Sequence, residues 1–120
     1  MNHTDLGRIG EDKAVAFLES RNMVILDRNY RFMRAEIDIV ASTDREIIFV
    51  EVKTRRNRNF GEPEDSIDDN KKRQLFKVAG AWMHERRMEG APARFDVVTV
   101  MNPGQSNEAI NHIEGAFWYM

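Results

Sequence analysis

Two short charged clusters stand inside apolar sequence: Glu36-Ile37-Asp38 and, twelve residues further on, Glu51-Val52-Lys53. Alternate side chains of a strand share a face, so Glu51 and Lys53 point to one side and Val50 and Val52 to the other. The run Ile47 to Val50 just before them is wholly apolar and marks a central, buried strand. Charges in such a strand carry a desolvation cost unless they are paired or bind something. A turn around Ser42-Thr43-Asp44-Arg45 lies midway between the clusters, so a meander connection sets Asp38 opposite Glu51. Facing carboxylates repel and raise one pKa, whereas a divalent cation with oxygen ligands removes the penalty. Mg²⁺ takes one or two protein carboxylates and keeps several waters. The expected metal is therefore Mg²⁺ or Mn²⁺, held by Asp38 and Glu51. With Lys53 beside it, such a centre can hold a phosphate, orient a water and offset charge during an in-line displacement, which are the tasks of metal-assisted phosphodiester hydrolysis. The plainer alternative is a structural Glu51–Lys53 ion pair, with Asp38 simply preceding the turn; short D…ExK matches also arise by chance.

The elements that must position these residues follow from periodicity. From Leu6 to about Arg21, Gly10, Ala14, Phe17 and Leu18 recur at helical spacing, with Asp5 the expected N-cap and Asn22 the expected stop. Met23 to Leu26, Ile37 to Val40 and Glu46 to Thr54 are rich in β-branched residues and predict three strands in a meander. The segment from Arg55 to Glu64 contains a glycine, a proline and several charges, has no period, and predicts an exposed, mobile loop. Ser66-Ile67-Asp68-Asp69 resembles a capping box, after which Lys71, Leu75, Val78, Ala79 and Trp82 lie on one face of a second helix ending near Arg87, before Gly90. Phe95 to Met101 predicts a strand, Pro103-Gly104 a turn, and Ile110 to Phe117 a last strand. The pattern is an α/β sandwich in the order α-β-β-β-α-β-β, with one mixed sheet and a helix on each face.

The 120 residues predict one domain spanning 1–120, with 42% hydrophobic and 32% charged residues in a globular balance. Cysteine is absent, which excludes disulfides and thiolate zinc sites, and no N-terminal apolar segment is seen. A cytoplasmic protein without membrane association is the expectation, since no apolar run is long enough to cross a bilayer. The net charge of −2 gives no global sign of a polyanion partner, so local charge must carry that case. Cations cluster in Lys53 to Arg58 and again in Lys71-Lys72-Arg73, with acidic residues between them. His3, His84 and His112 show no metal spacing, and Trp82 and Trp118 read as core or interface residues.

Nearly the whole chain resembles the YraN-like family of bacterial proteins, related to Holliday-junction resolvases. The resemblance rests on Gly7-Arg8-Ile9-Gly10-Glu11 with Ala14, Asn29-Tyr30-Arg31, Glu36-Ile37-Asp38, Phe49 to Arg55, Phe60-Gly61, Pro63, Lys71 and Arg94 to Val98. It implies a restriction-endonuclease-like fold of the PD-(D/E)xK type and a nuclease centre at Asp38, Glu51 and Lys53, with Glu11 as a further acidic member. Two departures stand out. Ala35 replaces the glycine usual before Glu-Ile-Asp, and no proline precedes Asp38, which leaves Glu36 as a rival ligand if the register differs. Position alone would make Glu11 a helix-dipole partner. Lys71 continues the apolar stripe and is placed to reach a phosphate, although a snorkelling lysine has the same position. Arg55, Arg56 and Arg58 leave the ExK strand where a DNA backbone would pass, with Arg31 a weaker candidate. The expected function is a metal-dependent DNA endonuclease, with branched or damaged DNA as candidate substrates and a homodimer left open. The alternative is a non-catalytic DNA-binding or partner-binding module that keeps the nuclease fold.

Overall fold

Strand pairing in this chain follows from connection length. Short turns join the first three strands and the last two, which makes those pairs antiparallel, while the helical crossover between the third and fourth permits a parallel pair. The computed structural model describes residues 3–56 and 67–117. The elements are α1 (His3–Ser20), β1 (Val24–Phe32), β2 (Ala35–Ser42), β3 (Ile47–Arg55), α2 (Asp69–Glu85), β4 (Ala93–Met101) and β5 (Ala109–Phe117). They form a five-stranded sheet in the order β1-β2-β3-β4-β5, with β3 and β4 parallel in register Glu51↔Val97 and Lys53↔Thr99. The other neighbours are antiparallel. This is the expected mixed sheet and element order, and it is compatible with the restriction-endonuclease-like fold.

Each helix covers one face. Ala14 and Leu18 of α1 pack with Ile39, Ile48, Val50, Val98 and Val100. Leu75, Val78, Ala79 and Trp82 of α2 pack with Ile37, Phe49 and Val97. Along β3 the alternation is therefore Ile47 and Phe49 towards α2, Ile48 and Val50 towards α1. Continued by two residues, it puts Glu51 and Lys53 on the α2 side and Val52 on the α1 side.

Several boundaries differ from the expectation. Helix α1 begins at His3, so Asp5 lies within its first turn, where its charge complements the helix dipole, and it is not the N-cap. Asn22 does stop the helix, in the left-handed region at φ 68°. The cap of α2 is Asp68, not Ser66: its backbone is extended and its carboxylate accepts from the Lys71 N–H at 2.8 Å. Ser66 itself lies outside the described residues, as do most of the expected loop and Trp118. Strand β1 continues six residues beyond Leu26 because β2 pairs with it as far as Phe32↔Ala35. It is an edge strand, and its charged residues find partners instead of ending it: Asp27 accepts from Trp82 Nε1, Arg28 pairs with Glu11 and Asp12, and Arg31 pairs with Glu36.

Candidate metal and phosphate site

The β2–β3 ladder runs from Ser42↔Ile47 to Ile39↔Val50 and ends there. The next pair would be Asp38 with Glu51. Instead the Asp38 side chain takes over the backbone's role, its Oδ2 accepting from the Val52 N–H at 2.8 Å. The two strands part at this point, and the carboxyl groups of Asp38 and Glu51 face each other across the gap. Burial first, then the hydrogen bond and charge of Glu51, push Asp38 up to about 9, against the lowering effect of the Val52 N–H, and the charge of Glu11 adds to the rise. Burial and the neighbouring carboxylate thus act together to disfavour the charged form of Asp38.

Glu51 Oε2 is buried and, among the described residues, accepts no hydrogen bond. The ammonium of Lys71 stands 3.5 Å from it, near enough for an ion pair but not placed as a hydrogen-bond donor. Two facing carboxyl groups, one with an oxygen that lacks a hydrogen-bond donor among the described residues, are an arrangement a divalent cation would relieve. The donor set fits a hard cation with oxygen ligands. Among the described residues no group of three or more His, Cys, Asp or Glu surrounds a common point, so the protein ligands offered are the two carboxylates and water would complete the shell.

The second buried carboxylate shows the contrast. Asp96 is fully buried, yet it accepts from Arg94 Nε at 2.9 Å and Nη2 at 3.2 Å, and from the Gly115 N–H at 3.0 Å, and its Oδ2 lies 2.8 Å from His112 Nε2. Both its oxygens are occupied by protein donors, and it ties an irregularity of β5 to β4.

A cavity of about 300 Å³ opens beside Asp38, between α1 and the end of β3, lined by Leu6, Gly7, Glu11, Asp38, Val52, Thr54 and Arg55. Glu11 is thus brought to the site, on the α1 side. It is held by Oε1, which accepts from Arg28 Nε and from Asn29 Nδ2, each at 3.0 Å. Asn29 adopts φ 54°, a left-handed conformation that asparagine tolerates better than most residues. Glu36, the rival ligand, turns away and pairs with Arg31 at 2.7 Å. The seating of α1 depends on Gly10, where a Cβ would fall 1.9 Å from Thr54 Oγ1 and 2.7 Å from its Cγ2. Only glycine lets the helix lie this close to β3.

Of the other expected site residues, Lys53 shares the α2 side with Glu51. Lys71 reaches Glu51 itself, so the cation beside the acidic pair comes from α2. Arg55 closes β3 and lines the cavity, its Nη1 donating to Thr54 O at 3.0 Å, and Arg56 follows it, exposed. Arg58 lies outside the described residues. Arg31 is committed to Glu36 on the edge hairpin. Sequence reasoning missed Arg28 and Asn29. Their only signal was Asn29 in the Asn-Tyr-Arg run, and nothing in it pointed to Glu11.

The family model described as uncharacterised protein family UPF0102 matches residues 10–100. A UPF0102 protein of Geotalea daltonii is 44% identical over 112 residues, which are 93% of this chain and 88% of that protein. One from Syntrophotalea carbinolica is 45% identical, covering 93% and 90%, and one from Bacteroides thetaiotaomicron is 40% identical, covering 97% and 94%. The chain belongs to the UPF0102 family, and the YraN-like resemblance read from its motifs holds. No helix among the described residues is long and apolar enough to cross a membrane.

Proposed function

We propose that this UPF0102 protein is a metal-dependent endonuclease hydrolysing phosphodiester bonds in DNA. The observation that carries the reading is the Asp38–Glu51 contact at the parting of β2 and β3, where Glu51 Oε2 is buried with no hydrogen bond to accept. Asp38 and Glu51 would hold Mg²⁺ or Mn²⁺, which when bound would polarise the phosphate and lower the pKa of a coordinated water. Lys53, on the face of Glu51, stabilises charge that builds on the phosphate. Glu11, fixed by Arg28 and Asn29, adds negative charge on the other side of Asp38 and favours a cation there. Arg55 and Arg56, at the exit of β3, are placed to neutralise backbone phosphates. Branched or damaged DNA is the substrate class the family resemblance suggests.

One observation favours the second reading, a binding module without turnover: Lys71 already offsets part of the Glu51 charge without a metal. The deciding experiment measures cleavage of single-stranded, duplex, flapped and four-way DNA by pure protein in Mg²⁺ and Mn²⁺, alongside Lys53→Ala. The expected result is cleavage by wild type and a loss on the order of a hundredfold in the variant, with DNA affinity little changed. If wild type cuts none of these substrates while both proteins bind DNA equally well, the module is the better account.

A further inference from the structure

The cation beside Glu51 has a second property that follows from where it is rooted. The Lys71 backbone is fixed in the first turn of α2, its N–H donating to the capping carboxylate of Asp68 at 2.8 Å. Its side chain stays largely in solvent while its ammonium approaches Glu51: the Lys71 side chain is 46% exposed and that of Glu51 14%. The ammonium lies 3.5 Å from an oxygen to which it makes no hydrogen bond. This is attraction by charge alone, held by a long, flexible stem. The neighbouring Lys72 turns instead to Asp69, 4.0 Å away, so the approach to Glu51 belongs to Lys71. A divalent cation bound to Glu51 would stand within a few ångströms of that ammonium, and like charges at such a distance in a half-buried site repel strongly. Ammonium and metal ion are therefore alternatives at Glu51.

We propose that Lys71 is the resident counterion of Glu51, displaced when a divalent cation binds the Asp38–Glu51 pair, and that loading the metal frees its ammonium for the phosphate of the substrate. The inference rests on the metal-site reading above and adds an order of events to it: the positive charge that stabilises the empty site becomes a substrate contact once the site is filled. Lys71 then opposes metal binding in the absence of DNA and supports DNA binding in its presence.

The test is Mn²⁺ titration of metal-stripped full chain by calorimetry, for wild type, Lys71→Met and Lys72→Met. Methionine keeps the apolar stem and removes the charge. Lys71→Met is expected to bind Mn²⁺ about two- to fivefold more tightly than wild type, the scale of one partly exposed ion pair, and to melt at a lower temperature when metal-free. Lys72→Met should match wild type. With Ca²⁺ in place of Mn²⁺ to hold back turnover, Lys71→Met should bind duplex DNA several-fold more weakly, although it holds its metal better. If wild type binds Mn²⁺ and Lys71→Met binds it equally or more weakly, the counterion role is refuted while the metal site stands. Tight Mn²⁺ binding with unchanged DNA affinity refutes the release of the ammonium to phosphate. Absence of Mn²⁺ binding in wild type and both variants overturns the metal site and the counterion together.

Discussion

Replacing Asp38 by asparagine should remove a pH dependence that the wild-type fold carries without metal. Asp38 is raised from an ordinary value of 3.8 to about 9 in the folded chain, chiefly by burial. The folded state therefore holds a proton that the unfolded state has released throughout that interval. Stability from this group is fully present below pH 3.8 and is lost progressively as the pH climbs towards 9. One proton contributes about 1.4 kcal/mol per pH unit. Between pH 5 and 7 the full effect is about 2.7 kcal/mol, and allowing for partial exposure of the side chain brings it to roughly 1–2 kcal/mol. For a chain of this size that is a fall in Tm of roughly 5–10 °C. Asparagine can still accept from the Val52 N–H, but it does not titrate. The measurement is thermal unfolding of wild type and Asp38→Asn at pH 5, 6, 7 and 8 in EDTA, read as the difference between the proteins so that other groups cancel. The wild type should lose stability relative to the variant as the pH rises. Mn²⁺ should flatten the wild-type slope, because the ion binds the deprotonated pair and its affinity increases with pH. Parallel curves for the two proteins in EDTA would refute the protonated Asp38–Glu51 pair.

Two further outcomes follow from the scaffold and the exit of β3. Gly10→Ala should destabilise the chain by about 1–3 kcal/mol through overpacking against Thr54, read by chemical denaturation. Thr54→Ala in the same chain should recover part of the loss, since it removes the two nearest atoms, Oγ1 and Cγ2. Additive losses in the double variant would mean that this close approach does not set the seating of α1. Arg55→Ala with Arg56→Ala should weaken DNA binding and lower the slope of log affinity against log salt by about one to two, at a little under one for each phosphate no longer neutralised. An unchanged slope would return these arginines to ordinary solvated surface.

How far the sequence could be read depended on the range of the interactions involved. Strand alternation is local, and it correctly put Glu51 and Lys53 on one face opposite Val50 and Val52. The polar turn after Ser42 fixed the register closely enough to bring Asp38 across from Glu51. The helical stripe of α2 was legible for the same reason, and it led to Lys71. What could not be read was the stopping of the ladder at Ile39↔Val50, because a side chain replacing a backbone acceptor leaves no periodic mark. The hold of Arg28 and Asn29 on Glu11 spans 17 and 18 residues, and an interaction between a helix and an edge strand at that separation has no pattern in the intervening sequence. Strand β1 was cut short at Leu26 because charges were read as a turn, whereas Asp27, Arg28 and Arg31 are taken up by partners on α2, α1 and β2. The Ser66 cap failed for a simpler reason: two acidic residues follow it, and either competes as a cap.

The fully buried carboxylate of Asp96 and the half-buried one of Glu51 lie on adjacent strands, one register step apart, since Asp96 pairs with Val50 and Glu51 with Val97. Their treatment is opposite. Asp96 has a guanidinium, an imidazole and a backbone N–H arranged around it, which is how a fold accommodates a buried charge it keeps for structure. Glu51 instead has beside it a second acid, from β2, and an ammonium, from α2, that makes no hydrogen bond to it. Leaving such an oxygen unpaired costs on the order of 1–3 kcal/mol, and an apolar residue on this central strand would have avoided the cost. A fold able to satisfy Asp96 so fully is not short of donors. Among the described residues Glu51 is thus the carboxylate whose surroundings the chain leaves incomplete, and it is on this contrast with Asp96 that the proposed metal site rests.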